Sequence, residues 1–486
     1  MSIIKVENLT FSYASSYDNI FEEVSFIIDT NWKTGLIGRN GRGKTTFLNL
    51  LLNKYKYDGK IISSVKFDYF PYPVADKNRI TIEILSEISP TAEEWEFIRE
   101  LSYLDTESDI LWRTFDTLSN GEQTKALLAA LFLNDEHFLL IDEPTNHLDA
   151  KARETIASYL KKKKGFILVS HDRNVLDICV DHILALNRTN IEVRKGNFST
   201  WMKNFENQQD LELSQNEKLK KEIKRLETAS KRTAVWSDKV ESSKTGAADK
   251  GYVGHKAAKM MKRSKSIESR HNEAVEQKSS LLKNIENADD LKIFPLRHYS
   301  DVLVRFESVS PVYNGESICS PVSFEIKQGE RVFLNGKNGS GKSSLLKLIT
   351  GDLIEHVGEI SMASDLIVSY VMQDTSDMNG TLSEYAYEYN IDEVVFKSIL
   401  RKMDFERVQF EKDISDFSEG QKKKVLIARS LCEKAHIYVW DEPLNFIDIY
   451  SRKQIENLIS KYNPTMILVE HDKAFRDTIS TKIIEL

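Results

Sequence analysis

Three cysteines in 486 residues, Cys179, Cys319 and Cys432, are too few and too scattered to build a disulfide framework or a paired-cysteine metal site. A reducing, cytoplasmic setting is the expectation. No run of 18 apolar residues occurs, and the N-terminal stretch MSIIKVENLTFSYASSY lacks a cationic start followed by an apolar core and a small-residue cleavage site. Neither a membrane-spanning helix nor a secretory leader is expected. Positive charge is also short overall: 67 Lys and Arg face 74 Asp and Glu, for a net charge of −7. The deficit is uneven, because Lys218–Arg270 holds 16 basic and 6 acidic residues, leaving that segment at +10 and the remainder at −17. A length prior of roughly 150 residues per domain predicts two to four domains.

An internal repeat organises the chain. GRNGRGKT at Gly38–Thr45 recurs as GKNGSGKS at Gly336–Ser343, and LSNGEQ at Leu118–Gln123 recurs as FSEGQK at Phe417–Lys422. LLIDEPTNHLD at Leu139–Asp149 answers to YVWDEPLNFID at Tyr438–Asp448, and LVSHD at Leu168–Asp172 to LVEHD at Leu468–Asp472. Equivalent positions lie 298 to 300 residues apart throughout, so the four motifs repeat in one order at one offset. Two homologous domains are expected at about 1–203 and 301–486, with a spacer at 204–300. Short β-branched runs alternating with helical patterns predict an α/β core with parallel strands in each.

The motif GxxxxGK[ST] brings backbone N–H groups around a phosphate at a helix N-terminus, where partial positive charge favours an anion. Gly38, Asn40, Gly41 and Gly43 in the first copy, and Gly336, Asn338, Gly339 and Gly341 in the second, are candidate ATP-binding positions. Lys44 and Lys342 are expected to reach the β- and γ-phosphates, flanked by Thr45 and Thr46 or by Ser343 and Ser344. Mg²⁺ would be held by Thr45 with Asp142 and by Ser343 with Asp441; Glu143 and Glu442 are placed to polarise the attacking water. His171 and His471 close the next strand of each half, where an imidazole can contact the γ-phosphate.

Together with these, Ser119-Asn120-Gly121-Glu122 and Ser418-Glu419-Gly420-Gln421 resemble the signature motif of ABC ATPases. The resemblance covers both halves and implies a head-to-tail sandwich, each ATP lying between the P-loop of one domain and the signature Ser, Gly and Glu or Gln of the other. It also places Tyr13 and Tyr313 where that family stacks an aromatic on adenine, with an ordinary surface aromatic as the lesser alternative for each. Two departures stand out. The family's glutamine after the third strand is present as Gln373 in SYVMQD, but the first half has Tyr72 in DYFPYPV, and a phenol cannot copy the amide's Mg²⁺ contact. Leu444 replaces the first half's Thr145. Unequal turnover at the two sites is an expectation.

In the spacer, Leu219, Ile223 and Leu226, and later Ile267, Ala274 and Leu281, recur at helical spacing around the breaker-rich SSKTGAADKGYVG. Two helices folded back as an antiparallel hairpin are predicted, the first projecting about 50 Å. On the second, Lys256, Lys259, Arg263 and Arg270 fall on one stripe able to follow a phosphate backbone. Lys244 and Lys250 add charge at the turn, and Tyr252 and His255 are candidates to stack on unpaired bases. Trp236 fits either that role or burial in the hairpin seam.

The whole layout, two tandem ABC-type P-loop ATPase domains joined by an antiparallel α-helical hairpin linker, resembles the ABC-F group of translation factors. Within it, TNWKTGLIGRNGRGKTT, WDEPLNFID, VEHD and KMMKRSKSIESR look like the Lsa-type branch of antibiotic-resistance ribosome-protection proteins. The resemblance implies a monomer with ATP and Mg²⁺ as cofactors and the 70S ribosome as partner. Its closed form would occupy the tRNA exit site, with the linker near 23S rRNA of the peptidyl-transferase centre and P-site tRNA. Lincosamides, streptogramin A and pleuromutilins would then dissociate. A housekeeping ABC-F factor without a drug phenotype, and the ATPase component of a transporter, are the alternatives.

Overall fold

The computed structural model describes residues 2–13, 19–134, 136–146, 148–187, 191–242, 259, 261–263, 265–270, 272–273, 275 and 291–486. Two compact units emerge: residues 1–186, 191–198 and 288–486 form one, and 187–190 with 199–287 the other.

The larger unit contains both repeats, and each is a pair of sheets. In the first repeat β1 (Ile3–Phe11) is the centre of an antiparallel sheet, between β2 (Phe21–Asp29) and β4 (Asp58–Ser63). The second sheet runs β5-β6-β7-β3-β8-β9, from β5 (Lys66–Phe70), β6 (His137–Asp142), β7 (Phe166–Val169) and β3 (Lys33–Gly38) to β8 (His182–Leu186) and β9 (Ile191–Lys195). All its pairings are parallel except β8 with β9. The second repeat has the same plan. There β10 (Val302–Tyr313) pairs with β11 (Glu316–Ser317), β12 (Val322–Lys327) and β14 (His356–Met362). The parallel sheet runs β15-β16-β17-β13-β18, comprising β15 (Val368–Val371), β16 (Ile437–Asp441), β17 (Met466–Val469), β13 (Arg331–Asn335) and β18 (Lys482–Glu485).

Strands covered on both faces must be apolar without alternation. FILV of β7 and MILV of β17 are buried at every position, as is IYVWD of β16. The crossover order sets each P-loop strand, β3 or β13, beside the strand that precedes its histidine. The carboxyl ends of β3, β6 and β7 therefore share one edge, where ligands of open parallel sheets bind. Leu291 and Ile293, within the stretch read as spacer, are buried in the core of the second repeat.

Each P-loop helix, Lys44–Leu51 or Lys342–Thr350, begins from a left-handed glycine, Gly43 at φ 86° or Gly341 at φ 85°. At Gly43 a Cβ would also lie 2.5 Å from Ile20 Cγ2, so the residue is dictated twice. Gly420 is constrained by proximity instead: a Cβ there would lie 2.5 Å from the Phe446 carbonyl oxygen and 3.1 Å from Asn40 Nδ2.

Apart from Asn187, the smaller unit is helical in its described parts. Most of the helix Phe198–Ser242 lies within it, and residues 259, 261–263, 265–270, 272–273 and 275 are helical too. Of the basic stripe, Lys259, Arg263 and Arg270 are exposed on helix. Lys244, Lys250, Tyr252, His255 and Lys256 lie outside the described residues, and for Trp236 the description covers its helical backbone alone.

The two signature glycines differ in what crowds them, and this predicts different tolerances. Gly420→Ala drives a methyl into a backbone carbonyl; Gly121→Ala meets only Leu148 Cδ2 at 3.3 Å, a side-chain tip that can move. ATP-dependent compaction measured by small-angle scattering is expected to be lost in Gly420→Ala and kept in Gly121→Ala. Equal behaviour of the two would refute the assignment of Gly420 as a close-contact position.

Candidate functional site

Two cavities lie between the repeats of the larger unit, and each takes residues from both. The first, about 500 Å³, is lined by Asn40, Gly41, Gly43, Lys44, Thr45 and Thr46 with Asp142, Glu143 and His171, and by Ser418, Glu419, Gly420 and Phe446 of the second repeat. The second, about 510 Å³, is lined by Asn338, Gly339, Gly341, Lys342, Ser343 and Ser344 with Gln373, Glu442, Asn445 and His471, and by Asn120 and Arg153 of the first repeat. A P-loop thus faces the opposing signature segment in both. Asn40 Nδ2 donates to the Phe446 carbonyl at 2.8 Å across 406 residues of chain.

Gly38 ends the first P-loop strand and Gly336 directly follows the second, each at the foot of its loop. Lys44 Nζ donates to Gly38 O at 2.8 Å and Arg39 O at 3.2 Å, and Lys342 Nζ to Gly336 O at 2.9 Å and Lys337 O at 2.7 Å. Burial pushes both ammonium groups below the ordinary lysine value. Ser119 and Ser418 are N-caps whose hydroxyls accept from the Glu122 and Gln421 N–H groups. Glu122 Oε2 and Gln421 Oε1 return to accept from the serine N–H, at 2.8 and 2.9 Å. This reciprocal capping box fixes the start of each signature helix. Of the first signature Asn120 lines the second cavity, whereas Ser119, Gly121 and Glu122 are not among its lining residues.

At the strand ends, Thr45 Oγ1 donates to Asp142 Oδ2 at 2.8 Å, and Ser343 bonds Asp441 in the same way. Burial raises both carboxyls, Asp441 to about 6, and Asp441 Oδ1 is buried without a partner. A hydroxyl beside an unsatisfied carboxylate oxygen is a hard donor set that fits Mg²⁺.

Glu143 and Glu442 both adopt left-handed backbone angles, φ 51° and 47°, held by N–H bonds of 2.9 Å to Val169 O and Val469 O of the adjacent strand. Their environments diverge. Burial, then Asp142, pushes Glu143 up to about 8; its Oε1 stands 3.4 Å from His171 Nε2, and burial with Lys44 and Arg452 drives His171 well below its ordinary value. Burial also opposes the charge of Glu442, but His471, Gln373 and Lys423 outweigh it and hold the group below the usual carboxylate range. Glu442 Oε2 accepts from Asn445 Nδ2 at 2.6 Å, and His471 Nε2 lies 3.6 Å from its Oε1. Tyr13 and Tyr313 line up alike, their hydroxyls 2.9 Å from Thr46 Oγ1 and 3.2 Å from Ser344 Oγ.

Several residues escaped the motif reading. The phenol that reaches the first carboxylate is not Tyr72 but Tyr69 on β5, whose hydroxyl donates to Asp142 Oδ2 at 3.2 Å. Its counterpart Tyr370 occupies the same register on β15, a signal available in the repeat. Arg153 and Arg452 bond Asp172 and Asp472 at 3.2 and 3.1 Å; Arg153 lines the second repeat's cavity, and the charge of Arg452 acts on His171 and Glu143 of the first. They too stand one repeat offset apart. Lys424 pairs with Asp448 at 2.9 Å, the two side chains 3% and 0% exposed.

Residues 21–146 and 319–445, together just over half of the chain, match the family described as ABC transporter. The chain is 28% identical over 489 residues to the ribosome protection protein VmlR of Bacillus subtilis, covering 97% of this chain and 85% of that one. It is 29% identical over 480 residues to the erythromycin resistance ATP-binding protein MsrA of Staphylococcus epidermidis, covering 93% and 92%. Among solved structures, the archaeal ribosome recycling factor aABCE1, in complex with the ribosomal stalk protein aP1, has the same fold, with a TM-score of 0.63 at 20% identity over 98% of this chain and 87% of that one.

The buried Lys424–Asp448 pair makes a testable demand on pH. Burial alone would raise the Asp448 carboxyl, but Lys424 and the Ser451 N–H outweigh it and depress it far below its ordinary value. A depressed acid stabilises fully above the unfolded value of about 3.9, and loses that contribution only as pH falls through the folded value. Lys424→Met leaves a buried carboxylate unpaired at a cost of about 3–5 kcal/mol. Its acid-unfolding midpoint by circular dichroism is expected at higher pH than wild type; an unchanged midpoint would show that the pair contributes nothing.

Proposed function

Because the chain belongs to the ABC transporter family, which carries ATP binding with it, we propose that it is a ribosome-directed ABC-F ATPase with ATPase domains at 1–203 and 301–486 and a linker at 204–300. The observation that supports this best is the pair of cavities in which one repeat's P-loop meets the other's signature segment. ATP bound there bridges both repeats, so its binding energy is available to hold them together.

In this reading the P-loop N–H groups, Lys44 and Lys342 cradle the phosphates, and Tyr13 and Tyr313 stack on adenine. Ser418 and Gly420, which line the first cavity, face the γ-phosphate there, a preorganised set of donors for charge that develops in transfer, and Ser119 and Gly121 take the same role at the second site on full closure. Thr45 with Asp142, and Ser343 with Asp441 and Gln373, hold Mg²⁺, which neutralises phosphate charge when bound. Glu143 and Glu442 orient and deprotonate the water, and His171 and His471 sense the γ-phosphate.

The target is read from the linker and from the relatives. The segment at +10 within an acidic chain presents Lys259, Arg263 and Arg270 on exposed helix, a pattern suited to RNA phosphates. Two relatives are named for ribosome protection and erythromycin resistance. No helix among the described residues is long and apolar enough to cross a membrane. We infer a cytoplasmic monomer whose ATP-closed form enters the tRNA exit site of the 70S ribosome. Its linker approaches 23S rRNA and P-site tRNA at the peptidyl-transferase centre and dislodges lincosamides, streptogramin A and pleuromutilins.

Glu143→Gln with Glu442→Gln is expected to trap the closed form, which then co-sediments with 70S ribosomes in ATP but not in ADP. Enrichment in membranes instead would favour a transporter component. Expression of the wild-type gene is expected to raise inhibitory concentrations of lincomycin or tiamulin at least about fourfold, well outside the twofold scatter of such assays. Ribosome binding without any such rise would identify a housekeeping translation factor.

A further inference from the structure

The two repeats share their motifs but differ at positions within and beside them. Where the first has Thr124, Thr145 and Ser170, the second has Lys423, Leu444 and Glu470, at offsets of 299, 299 and 300. Lys423 and Glu470 are 2% and 4% exposed, and burial of charge on that scale is costly unless each group is used.

Both are used next to the partners of Glu442. Lys423 Nζ donates to the Met372 carbonyl at 2.9 Å, fixing the residue before Gln373, which bonds Glu442. Glu470 Oε2 accepts from the Leu444 N–H at 3.1 Å, fixing the residue before Asn445, whose amide donates to Glu442 at 2.6 Å. Glu470 Oε1 accepts from the N–H of His471 at 2.8 Å, and that imidazole stands 3.6 Å from Glu442. Lys423 lies in the field of Asp441, Glu442 and Glu470, so the two buried charges also offset one another. All three neighbours of Glu442 are thereby pinned through backbone atoms. In the first repeat the equivalent frame among the described residues carries no charge: the Thr145 and Ser170 hydroxyls lie 3.4 Å apart, Ser170 Oγ accepts from the Asp172 N–H at 3.1 Å, and the His171 N–H reaches Glu143 Oε2 at 3.4 Å, while Glu143 Oε1 is buried without a hydrogen-bond partner.

We propose that Lys423 and Glu470 are positioning residues that hold the loops around Glu442 in one arrangement and so make the second site the faster of the two at cleaving ATP. The inference rests on the ATPase reading given above. Neither side chain touches nucleotide; each acts through Gln373, Asn445 or His471.

Steady-state phosphate release separates the possibilities. In a Glu143→Gln background, where only the second site turns over, Glu470→Ser and Lys423→Thr are each expected to lower kcat at least about tenfold with KM for ATP changed less than about threefold. Adding Leu444→Thr to Glu470→Ser restores the hydroxyl pair of the first repeat and recovers most of the loss. Glu470→Gln keeps the shape and one acceptor oxygen, and gives an intermediate rate should the serine variant melt early. In a Glu442→Gln background the same substitutions leave first-site turnover within about twofold of its parent, and that parent is slower than Glu143→Gln. Unchanged kcat in the first background, an equal loss in both, or equal turnover of the two parents overturns the proposal while leaving the ATPase reading intact. Absence of Mg²⁺-dependent phosphate release from wild type overturns the reading and the proposal together.

Discussion

Charge buried at the seam between the two repeats is the constraint on which the rest of this structure depends. Lys44, Glu143, His171 and Asp448 are enclosed there, with Lys424 and Arg452 close by. An isolated ion in such surroundings is untenable, so each must be paired or neutralised. Asp448 is paired with Lys424, Arg452 with Asp472, and Glu143 is pushed toward its neutral form. Both of these ion pairs lie within the second repeat, but Arg452 also acts on Glu143 and His171 of the first, and each cavity takes lining residues from both repeats, so the sites are complete only when the repeats face each other.

That constraint is met unequally. Around the first cavity, Arg39 and Arg42 approach Asp404 at 3.8 Å, Arg39 lies over the Tyr450 ring, and Arg173 bonds Glu456 at 2.9 Å. At positions equivalent to Arg39 and Arg42 the second repeat has Lys337 and Ser340. Asp105, the counterpart of Asp404, bonds Lys151 of its own repeat. The first site is therefore tied more heavily across the seam, whereas the second invests its buried charge in ordering the loops around Glu442. One fold used twice has been specialised in two directions by substitutions at variable positions within and beside the shared motifs.

Much of the site was legible in the chain because phosphate chemistry is local. A P-loop needs its glycines, lysine and hydroxyl within eight residues, and a strand that ends in Asp-Glu carries its own geometry, so Gly38–Thr45 and Asp142–Glu143 stand out without any partner in view. The capping boxes at Ser119 and Ser418 are local in the same sense. Tyr69 was less visible, because the motif points to Tyr72 and only the register of β5 against β6 shows which phenol faces Asp142. Glu470 was visible only as a departure. Its meaning lies in two backbone N–H groups, one of them 26 residues away.

The sequence by itself determined the repeat, the α/β class, the phosphate-binding loops and the charge segregation of the spacer, since each is written in neighbouring residues or in one constant offset. Only the tertiary structure decided that Asn40 meets Phe446, that Arg153 and Arg452 serve the opposite sites, and that Lys423 and Glu470 frame Glu442. Those contacts join residues from different motifs, as far apart as 406 positions. No local periodicity records them. They follow from setting the P-loop of each repeat against the signature segment of the other and from the need to satisfy the charge that this packing encloses.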